Sequence, residues 1–298
     1  MEQAMKGRII CRLVAWIMGS AGLLTAGVSS ASSYAVSTNS ITNFLLSMPS
    51  GSSFGGFTFS GDIAVALGDL TGGEADIDKQ DADAACVGGY CAGFNNSFTS
   101  HGISPDPGYA YGDAQIGSKN VLAGTGAASS IGEATSYDGL AGAAGANTMI
   151  ASFNLTSVGM LNFSFLSTPY MQTQLGAGAL SASGTTDMNI TIWQGLTKKF
   201  EWAPDGLSGG ILNGTEGSDP FSLNFGINGN NTYSPGAGSF SASTAALAAG
   251  TYTMKIHMGN EAHAASVAVV PVPAALPLFG SGAIALAALA RRRSKSSQ

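Results

Sequence analysis

The chain has 298 residues, with 12 Lys and Arg against 18 Asp and Glu, and a net charge of −6. Only 10% of its residues are charged, against about 25% in ordinary soluble domains. An acidic, weakly charged chain lacks the basic patch that binds phosphate backbones, so we expect no nucleic-acid partner.

The first 31 residues have the layout of a secretory signal peptide. A basic segment containing Lys6, Arg8 and Arg12 precedes an apolar run over 13–28, and small residues at 29–31 form a cleavage site. Cleavage after Ala35 and an uncleaved membrane helix remain as alternatives. We expect signal peptidase to remove 1–31 and to leave an exported, β-rich domain over 32–269.

Removal of the two terminal segments sharpens the charge of the body. Residues 1–31 and 270–298 carry seven of the basic groups and one acidic group, so 5 basic and 17 acidic groups remain, a net charge of −12. A strongly acidic body is typical of a soluble exported domain.

Alternation of apolar and polar residues, rich in Phe, Tyr, Ile, Val and Thr, predicts β-strands along the body. The segments that show it are 57–67, 149–158, 160–166, 187–193, 221–225, 250–258 and 264–270. The second and third flank Gly159 and are predicted to form a hairpin, and 170–180 is predicted to be a short helix. Short strands with Gly- and Asn-rich breaks predict an all-β fold, an antiparallel β-sandwich, with an N-terminal signal helix and a C-terminal hydrophobic helix at its ends.

Residues 68–148 are rich in Gly and Ala and show few strand signals. We expect long Gly/Ala-rich loops there, an irregular insert or weak strands. The part over 122–145 has little apolar surface to bury, which is typical of a mobile segment.

Two cysteines remain after removal of Cys11 with the signal peptide. Cys86 and Cys91 flank two glycines, and an exported pair this close is expected to form a disulfide. The loop is short, so the chain-entropy model gives the bond about 2 kcal/mol of stabilisation.

An acidic cluster is the first candidate site. Carboxylates two or three positions apart can converge on Ca²⁺ in a loop, and a solvated acidic loop is the alternative. The cluster consists of Glu74, Asp76, Asp78, Asp81 and Asp83.

The segment 206–210 matches the G-x-S-x-G pattern of a serine nucleophile elbow, with Ser208 as the nucleophile. A triad would need His101, His257 or His263. Chance matches are expected in a chain rich in Gly and Ser, and the surroundings lack the strand-to-helix turn of an elbow. We therefore predict that the protein is not an enzyme, with a secreted hydrolase as the least favoured alternative.

Two tryptophans are candidates for sugar stacking. Trp193 and Trp202 would serve a carbohydrate-binding sandwich if their rings were exposed, and core packing is the competing reading. Exopolysaccharide would then be the partner.

The last 29 residues combine three features in a fixed order. A proline motif, Val270-Pro271-Val272-Pro273-Ala274, is followed by a run without charge over 274–290 and by Arg291, Arg292 and Arg293. Seventeen helical residues span about 25 Å, slightly less than a hydrocarbon core of about 30 Å, so the run is a short membrane anchor. The arginines are expected to stay on the cytoplasmic side as a membrane stop.

This tail resembles the PEP-CTERM sorting domain, the exosortase substrate signal of exported Gram-negative bacterial surface proteins. The family motif is Pro-Glu-Pro, and Val272 stands in the place of the glutamate. The resemblance covers about a tenth of the chain and divides 270–298 into the motif 270–274, the transmembrane run 274–290 and the basic end 291–298. It implies transient anchoring in the inner membrane and processing by an exosortase-like membrane enzyme.

These observations together predict an exported structural or interaction protein of the cell surface or extracellular matrix. Signal peptidase and an exosortase-like enzyme are its predicted processing partners. A carbohydrate-binding β-sandwich for exopolysaccharide is the alternative. No cofactor is expected apart from Ca²⁺ at the acidic cluster.

Overall fold

The computed structural model describes residues 32–69, 76–81, 84–88, 91, 96–103, 108–176 and 179–267, all within one compact unit, Ser30–Ala268. Apart from a single 3-10 turn at Val121–Ala123, the regular structure of these residues is β-strand. The strands, numbered in chain order, are β1 Ser33–Ser47, β2 Ser53–Asp69, β3 Asp76–Asp81, β4 Ala85–Gly88, β5 Gly108–Ser118, β6 Gly126–Ser136, β7 Gly139–Leu155, β8 Asn162–Ser167, β9 Tyr170–Leu175, β10 Ala179–Gln194, β11 Thr197–Trp202, β12 Ile211–Leu212, β13 Gly214–Ser218, β14 Phe225–Asn228, β15 Asn231–Tyr233, β16 Gly238–Thr244 and β17 Gly250–Ser266.

The strands form two antiparallel sheets that pack face to face, so the predicted all-β sandwich is confirmed. Sheet A has the order β13-β16-β8-β1-β6-β5-β4, and β9 pairs with both β1 and β15. Sheet B has the order β12-β11-β10-β17-β7-β2-β3, and β14 pairs with β10. The last strand, β17, therefore lies in the middle of sheet B.

One half of the interior is a core of large apolar side chains. Phe165 stacks on Phe240 and on Phe44, with ring centroids 5.1 and 5.6 Å apart. Trp202 and Phe200 are fully buried in the same cluster. These rings fill the roughly 10 Å that normally separates two packed sheets.

The other half of the interior contains almost only alanine and glycine. Ala35, Ala110 and Ala134 of sheet A face Ala143 and Ala262 of sheet B, and all are buried. Because these side chains are small, the backbones of the two sheets lie so close that a single alanine methyl group fills the space between them.

Glycines occupy the positions where the two sheets come closest. A Cβ added to Gly145 of β7 would overlap the carbonyl oxygens of Asp113 and Ile131 in sheet A. A Cβ added to Gly132 of β6 would lie 2.6 Å from the carbonyl oxygen of Ala143 in sheet B. Glycine is therefore required here by space rather than by backbone conformation.

A buried polar layer separates the Gly/Ala half from the aromatic half. The Ser37 hydroxyl donates to Asn260 Oδ1 at 2.8 Å, and Asn260 Nδ2 donates to Ser130 Oγ. Asn147 Nδ2 donates to the Ser129 carbonyl oxygen at 2.9 Å. These bonds join sheet A to sheet B where the sheets are too close for large apolar side chains, and they satisfy polar groups that would be costly to bury alone.

Over most of 68–148 the expected long loops are wrong, and the alternative expectation of strands is confirmed. Strands β5, β6 and β7 lie there, and the stretch 122–145, expected to be mobile, contains most of β6 and the start of β7. The expectation relied on the apolar area that the side chains could bury. Burial is instead achieved by backbone against backbone, which needs small side chains.

Three local predictions are also wrong. Segments 149–158 and 160–166 do not form a hairpin, because β7 belongs to sheet B and β8 to sheet A. Segment 170–180 is not a helix: Met171 and Thr173 are buried at alternate positions of strand β9. Most of 221–225 is irregular, and strand β14 begins only at Phe225.

The other predicted strands are confirmed. Segment 57–67 lies in β2 and 187–193 in β10. Segments 250–258 and 264–266 belong to one continuous strand, β17. The two predicted terminal helices lie outside the described residues.

Replacement of Gly145 by alanine is expected to destabilise the fold by about 3 kcal/mol or more, because the new methyl group overlaps two carbonyl oxygens of the opposite sheet. The matched control is Gly117→Ala in β5, where the nearest atoms to an added Cβ are 3.8 Å away. The control should change stability by no more than about 0.5 kcal/mol. Urea unfolding measures both, and equal midpoints would contradict the close approach of the sheets.

Candidate functional site

A polar cluster covers the outer face of sheet A where β1, β5 and β6 run side by side. Residues 110, 112, 132 and 134 of β5 and β6 face sheet B, so alternate residues face outward. The outward residues include two acids and two tyrosines, Tyr109, Tyr111, Asp113 and Glu133, all buried. They are buried because residues 96–103, which we call the latch, bond to them.

Glu133 is the centre of this cluster. Its Oε1 accepts hydrogen bonds from the Tyr34 hydroxyl at 2.6 Å, the Ser100 hydroxyl at 2.9 Å and the Gly102 N–H at 3.1 Å. The His101 N–H lies 3.0 and 3.1 Å from its two oxygens, and His101 Nδ1 lies 2.8 Å from Oε2. A carboxylate with no exposed surface is thus surrounded by donors from the latch and from β1.

These contacts determine the charge state of Glu133. Burial by itself raises the pKa of this carboxyl, but the hydrogen bonds from His101, Tyr34 and Ser100 outweigh burial and hold the pKa below its ordinary value. The carboxylate is therefore ionised at neutral pH and strengthens each bond that it accepts.

Asp113 anchors the other end of the latch and behaves differently. The Tyr111 hydroxyl donates to its Oδ2 at 2.6 Å. Burial raises the pKa of Asp113, although the bonds from Tyr111 and from the backbone of Asn96, Ala114 and Ser97 lower it in part. Burial and the neighbouring carboxylates also raise the pKa values of Tyr34, Tyr109 and Tyr111, so the three phenols stay neutral and serve as donors.

The disulfide lies in the segment that leads to the latch. Cys86 of strand β4 is bonded to Cys91, with their Cα atoms 5.5 Å apart, and Cys86 pairs with Tyr111 of β5. Together, the disulfide and the two buried acids tie the connection between β4 and β5 to the sheet. These contacts hold residues 96–103 against the outer face of sheet A. The Ser100 hydroxyl, for example, donates to Glu133.

The sequence alone does not reveal this cluster. It offers His101 only as a triad candidate, and Glu133 lies in a segment expected to be mobile. The one available signal was an isolated glutamate between apolar and small residues in 126–136, a stretch with no other charge. Such a residue is either exposed or paired when buried.

Ser208 lies in the connection between strands β11 and β12, not in a strand-to-helix turn. Asp219 Oδ2 accepts the N–H groups of Asp205 and Gly206 at 2.9 Å, and Glu216 accepts the N–H of Gly209 at 3.1 Å. Ser208 borders a shallow pocket together with these two acids. The connection is thus held by carboxylates that bond to its backbone.

The three histidines pair with carboxylates of their own surroundings. His101 bonds to Glu133 in sheet A. In sheet B, His257 Nε2 lies 3.1 Å from Asp187 Oδ2, and His263 Nε2 lies 3.7 Å from Glu261 Oε2. Ser208 is not a member of any of these three pairs.

The sugar-stacking prediction is wrong for Trp202. Its ring is fully buried in the aromatic core, and its Nε1 donates to Glu216 Oε1 at 3.0 Å. Trp193 is half-buried, and Lys198 Nζ lies 5.3 Å from its ring centroid. The pair therefore does not present a double aromatic platform.

The acidic cluster is not in the expected loop. Asp76, Asp78 and Asp81 belong to strand β3, opposite Gly68, Ala66 and Ile63 of β2, whereas Glu74 and Asp83 lie outside the described residues. In the part of the chain that the structure describes, no group of three or more His, Cys, Asp or Glu residues is arranged to hold a metal ion. Ca²⁺ binding at this cluster stays a prediction.

The two ends of the described chain meet at one end of the sandwich. The Ser33 and Ser266 hydroxyl oxygens are 3.0 Å apart, and the Ser266 hydroxyl donates to the Ser136 carbonyl oxygen at 2.9 Å. The Gly176 N–H donates to the Ser32 carbonyl oxygen at 2.7 Å. The first strand, β1, and the last strand, β17, are thus hydrogen-bonded to each other at this end of the sandwich.

The predicted sorting residues Val270, Pro271, Val272, Pro273, Ala274, Arg291, Arg292 and Arg293 lie outside the described residues, as does the signal segment 1–31. Among the residues that are described, no helix is both long enough and apolar enough to span a bilayer.

Comparisons with known proteins give no family. No protein-family model matches the chain, and no curated protein matches it. A solved structure titled "Structure of infectious bursal disease virus Gt strain" aligns with 84% of this chain and 68% of its own at 13% identity, with a TM-score of 0.10. A similarity this low carries no argument about fold or function.

Replacement of Glu133 by glutamine is expected to cost about 3 kcal/mol at pH 7, because an amide loses the charge and places two N–H donors among groups that already donate. The control is Glu261→Gln, whose side chain is 56% exposed. Urea unfolding at pH 7 measures both. Equal midpoints for Glu133→Gln and the wild type would contradict the anchoring role.

The stability difference between wild type and Glu133→Gln is expected to depend on pH. The folded-state pKa of Glu133 is below its unfolded value, so its contribution to stability is present above the ordinary pKa of about 4.3 and is lost as pH falls through the folded pKa. The difference in unfolding free energy between wild type and Glu133→Gln should therefore shrink as pH is lowered from 7 to 3. A difference in unfolding free energy that grows towards low pH would contradict a lowered pKa of Glu133 in the folded state.

Proposed function

We propose that the protein is an exported structural or interaction protein of the cell surface or extracellular matrix. In this proposal its C-terminal tail holds it in the inner membrane until an exosortase-like enzyme acts at residues 270–274. The observation that carries the proposal is the order of a proline motif, an uncharged run and three arginines over 270–298. Ser33 and Ser266 meet at one end of the sandwich, so the signal segment and the tail are attached to the same end of the body.

The position of β17 supports processing of a folded body. The strand is paired with β7 up to Ser266, and Val270 follows only four residues later. Four extended residues reach at most about 14 Å, so the enzyme would act close to the end of the sandwich. Cleavage within 270–274 would leave the whole ladder of β17 in place.

The position of β1 favours one of the two signal-peptide cuts. Cleavage after Ala31 leaves every described residue of β1 in the body. Cleavage after Ala35 would remove Tyr34, whose hydroxyl donates to Glu133, and would remove pairs that Ser33 makes with β6 and β9. The proposal therefore places the mature N-terminus near Ser32.

The body itself supports a structural rather than a catalytic role. Its acids are used to bond backbone and phenol groups, as Glu133 does in the latch and Asp219 does beside β12. Its disulfide and its two extensive β-sheets are typical of a stable domain that functions outside the cell. The loss of Trp202 as a stacking residue leaves the exopolysaccharide-binding alternative with less support.

The test is the intact mass of the protein recovered from the surface and medium of its native host. The expected species begins near Ser32 and ends within 270–274, and any extra mass at that end identifies a covalent anchor. A species that retains Arg291, Arg292 and Arg293 would contradict processing at the motif.

Substitutions in the proline motif test whether cleavage depends on it. The double replacement Pro271→Ala and Pro273→Ala should abolish the shortened species and leave the full tail attached. The matched control is Pro235→Ala in the exposed connection between β15 and β16, which should be processed like the wild type. Unchanged processing of the double variant would show that the proline motif is not the signal.

A further inference from the structure

Exposed aliphatic side chains lie at the end of the sandwich where the chain ends meet. Leu140 of β7 is 57% exposed, Leu180 of β10 is 63% exposed, and Val267, which follows β17, is 47% exposed. We call these three residues the rim.

The rim residues lie at the same end of sheet B because β10, β17 and β7 are adjacent, and Leu180 lies at a register shift of β10. Ser266 is the pairing partner of both Gly139 and Ala179, and Ala265 pairs with Leu140. Strands lie about 4.8 Å apart, so the three side chains fall within a width of about 10 Å. The rim is therefore a group of three exposed aliphatic residues at one end of three adjacent strands.

The same end of the domain is connected to both apolar runs of the sequence. The run over 13–28 ends four residues before Ser32, and the uncharged run over 274–290 begins seven residues after Val267. Seven extended residues reach at most about 25 Å, and four reach about 14 Å. While the run over 274–290 is in a bilayer, its first residue lies within about 25 Å of Val267.

We infer that the rim is a lipid-contact surface, through which the folded body rests on the bilayer while the tail anchors it. The inference rests on the proposed function, since it requires that the tail be in the membrane. Aliphatic side chains at the interface gain free energy by leaving water, and the short tether makes that contact effectively intramolecular. Asp138, in the turn before Leu140, is half-buried and lies at the headgroup level in this arrangement.

Charge explains why the contact is apolar. The body has a net charge of −12, so a surface of anionic headgroups would repel it. A few aliphatic residues at one edge let the domain approach the bilayer without a basic patch. The contact is weak by itself, so removal of the tail at 270–274 would also release the body from the lipid.

The chain offers a matched control at the far end of the sandwich. Leu196, in the turn between β10 and β11, is 99% exposed, more than any rim residue. It lies near the start of β17, and the 17 residues of that strand separate it from the rim by about 50 Å. Non-specific binding of exposed leucines to lipid would affect Leu196 as much as Leu140.

The experiment places an environment-sensitive fluorophore on Leu140→Cys or Leu196→Cys in the full chain, with Cys11→Ser and the Cys86–Cys91 disulfide intact. Each protein is reconstituted into phosphatidylcholine vesicles that contain lipids spin-labelled near the headgroup. We expect quenching at position 140 to exceed quenching at position 196 at least about threefold. Addition of Leu180→Glu should reduce quenching at 140 towards the level at 196.

Flotation of the vesicles separates the two ways of failing. Protein that floats with the vesicles but shows equal, weak quenching at both positions overturns the rim contact and leaves the proposed anchoring intact. Protein that does not float overturns the anchoring and this inference with it. A fluorophore at position 140 that becomes buried equally without lipid, as the protein concentration rises, shows that a second copy covers the rim and also overturns the inference.

Discussion

The close approach of the two sheets is the constraint on which the rest of the structure depends. Over half of the interior the separation is set by backbone contact, with Gly145 of one sheet against the carbonyl oxygens of Asp113 and Ile131 in the other. Such an interior buries little side-chain area, so its stability comes from dispersion between close-packed backbones and from saturated hydrogen-bond ladders. The aromatic half supplies the conventional hydrophobic core, and the polar layer at Ser37 and Asn260 joins the two.

The latch follows from that constraint. Strands β5 and β6 have mostly alanine and glycine on the face turned to sheet B, so most of their bulky side chains are on the other face. Tyr109, Tyr111 and Glu133 would be exposed there if residues 96–103 did not cover them. One sheet therefore has a thin interface on its inner side and a second, polar core on its outer side. The buried charge of Glu133 makes that outer core specific for the segment that supplies its donors.

The sequence predicted the fold class and several strands, because segments such as 187–193 follow the rule that one face of a strand is apolar. It failed over 68–148, because the rule that apolar area drives burial does not recognise a strand whose inward side chains are alanine and glycine. The disulfide could be proposed from spacing alone. The Glu133 cluster could not, because its members come from residues 34, 100–102, 109 and 133, and only the register of β1, β5 and β6 brings them together. The hairpin predicted at Gly159 is wrong for a related reason: a pattern of alternation does not say to which sheet a strand belongs.

The place of β17 in sheet B has a consequence for how the chain acquires its structure. The strand is the last of the domain, yet it lies between β10 and β7, and its ladder to β7 is the longest of the sheet. Until it arrives, β10 and β7 present long unpaired edges, and Ser33 lacks a partner 233 residues away. The topology has a high contact order, which is typical of slow folding. In the proposed export, the chain would cross the membrane almost to its end before sheet B could be completed, so folding would coincide with the arrival of the tail at the bilayer.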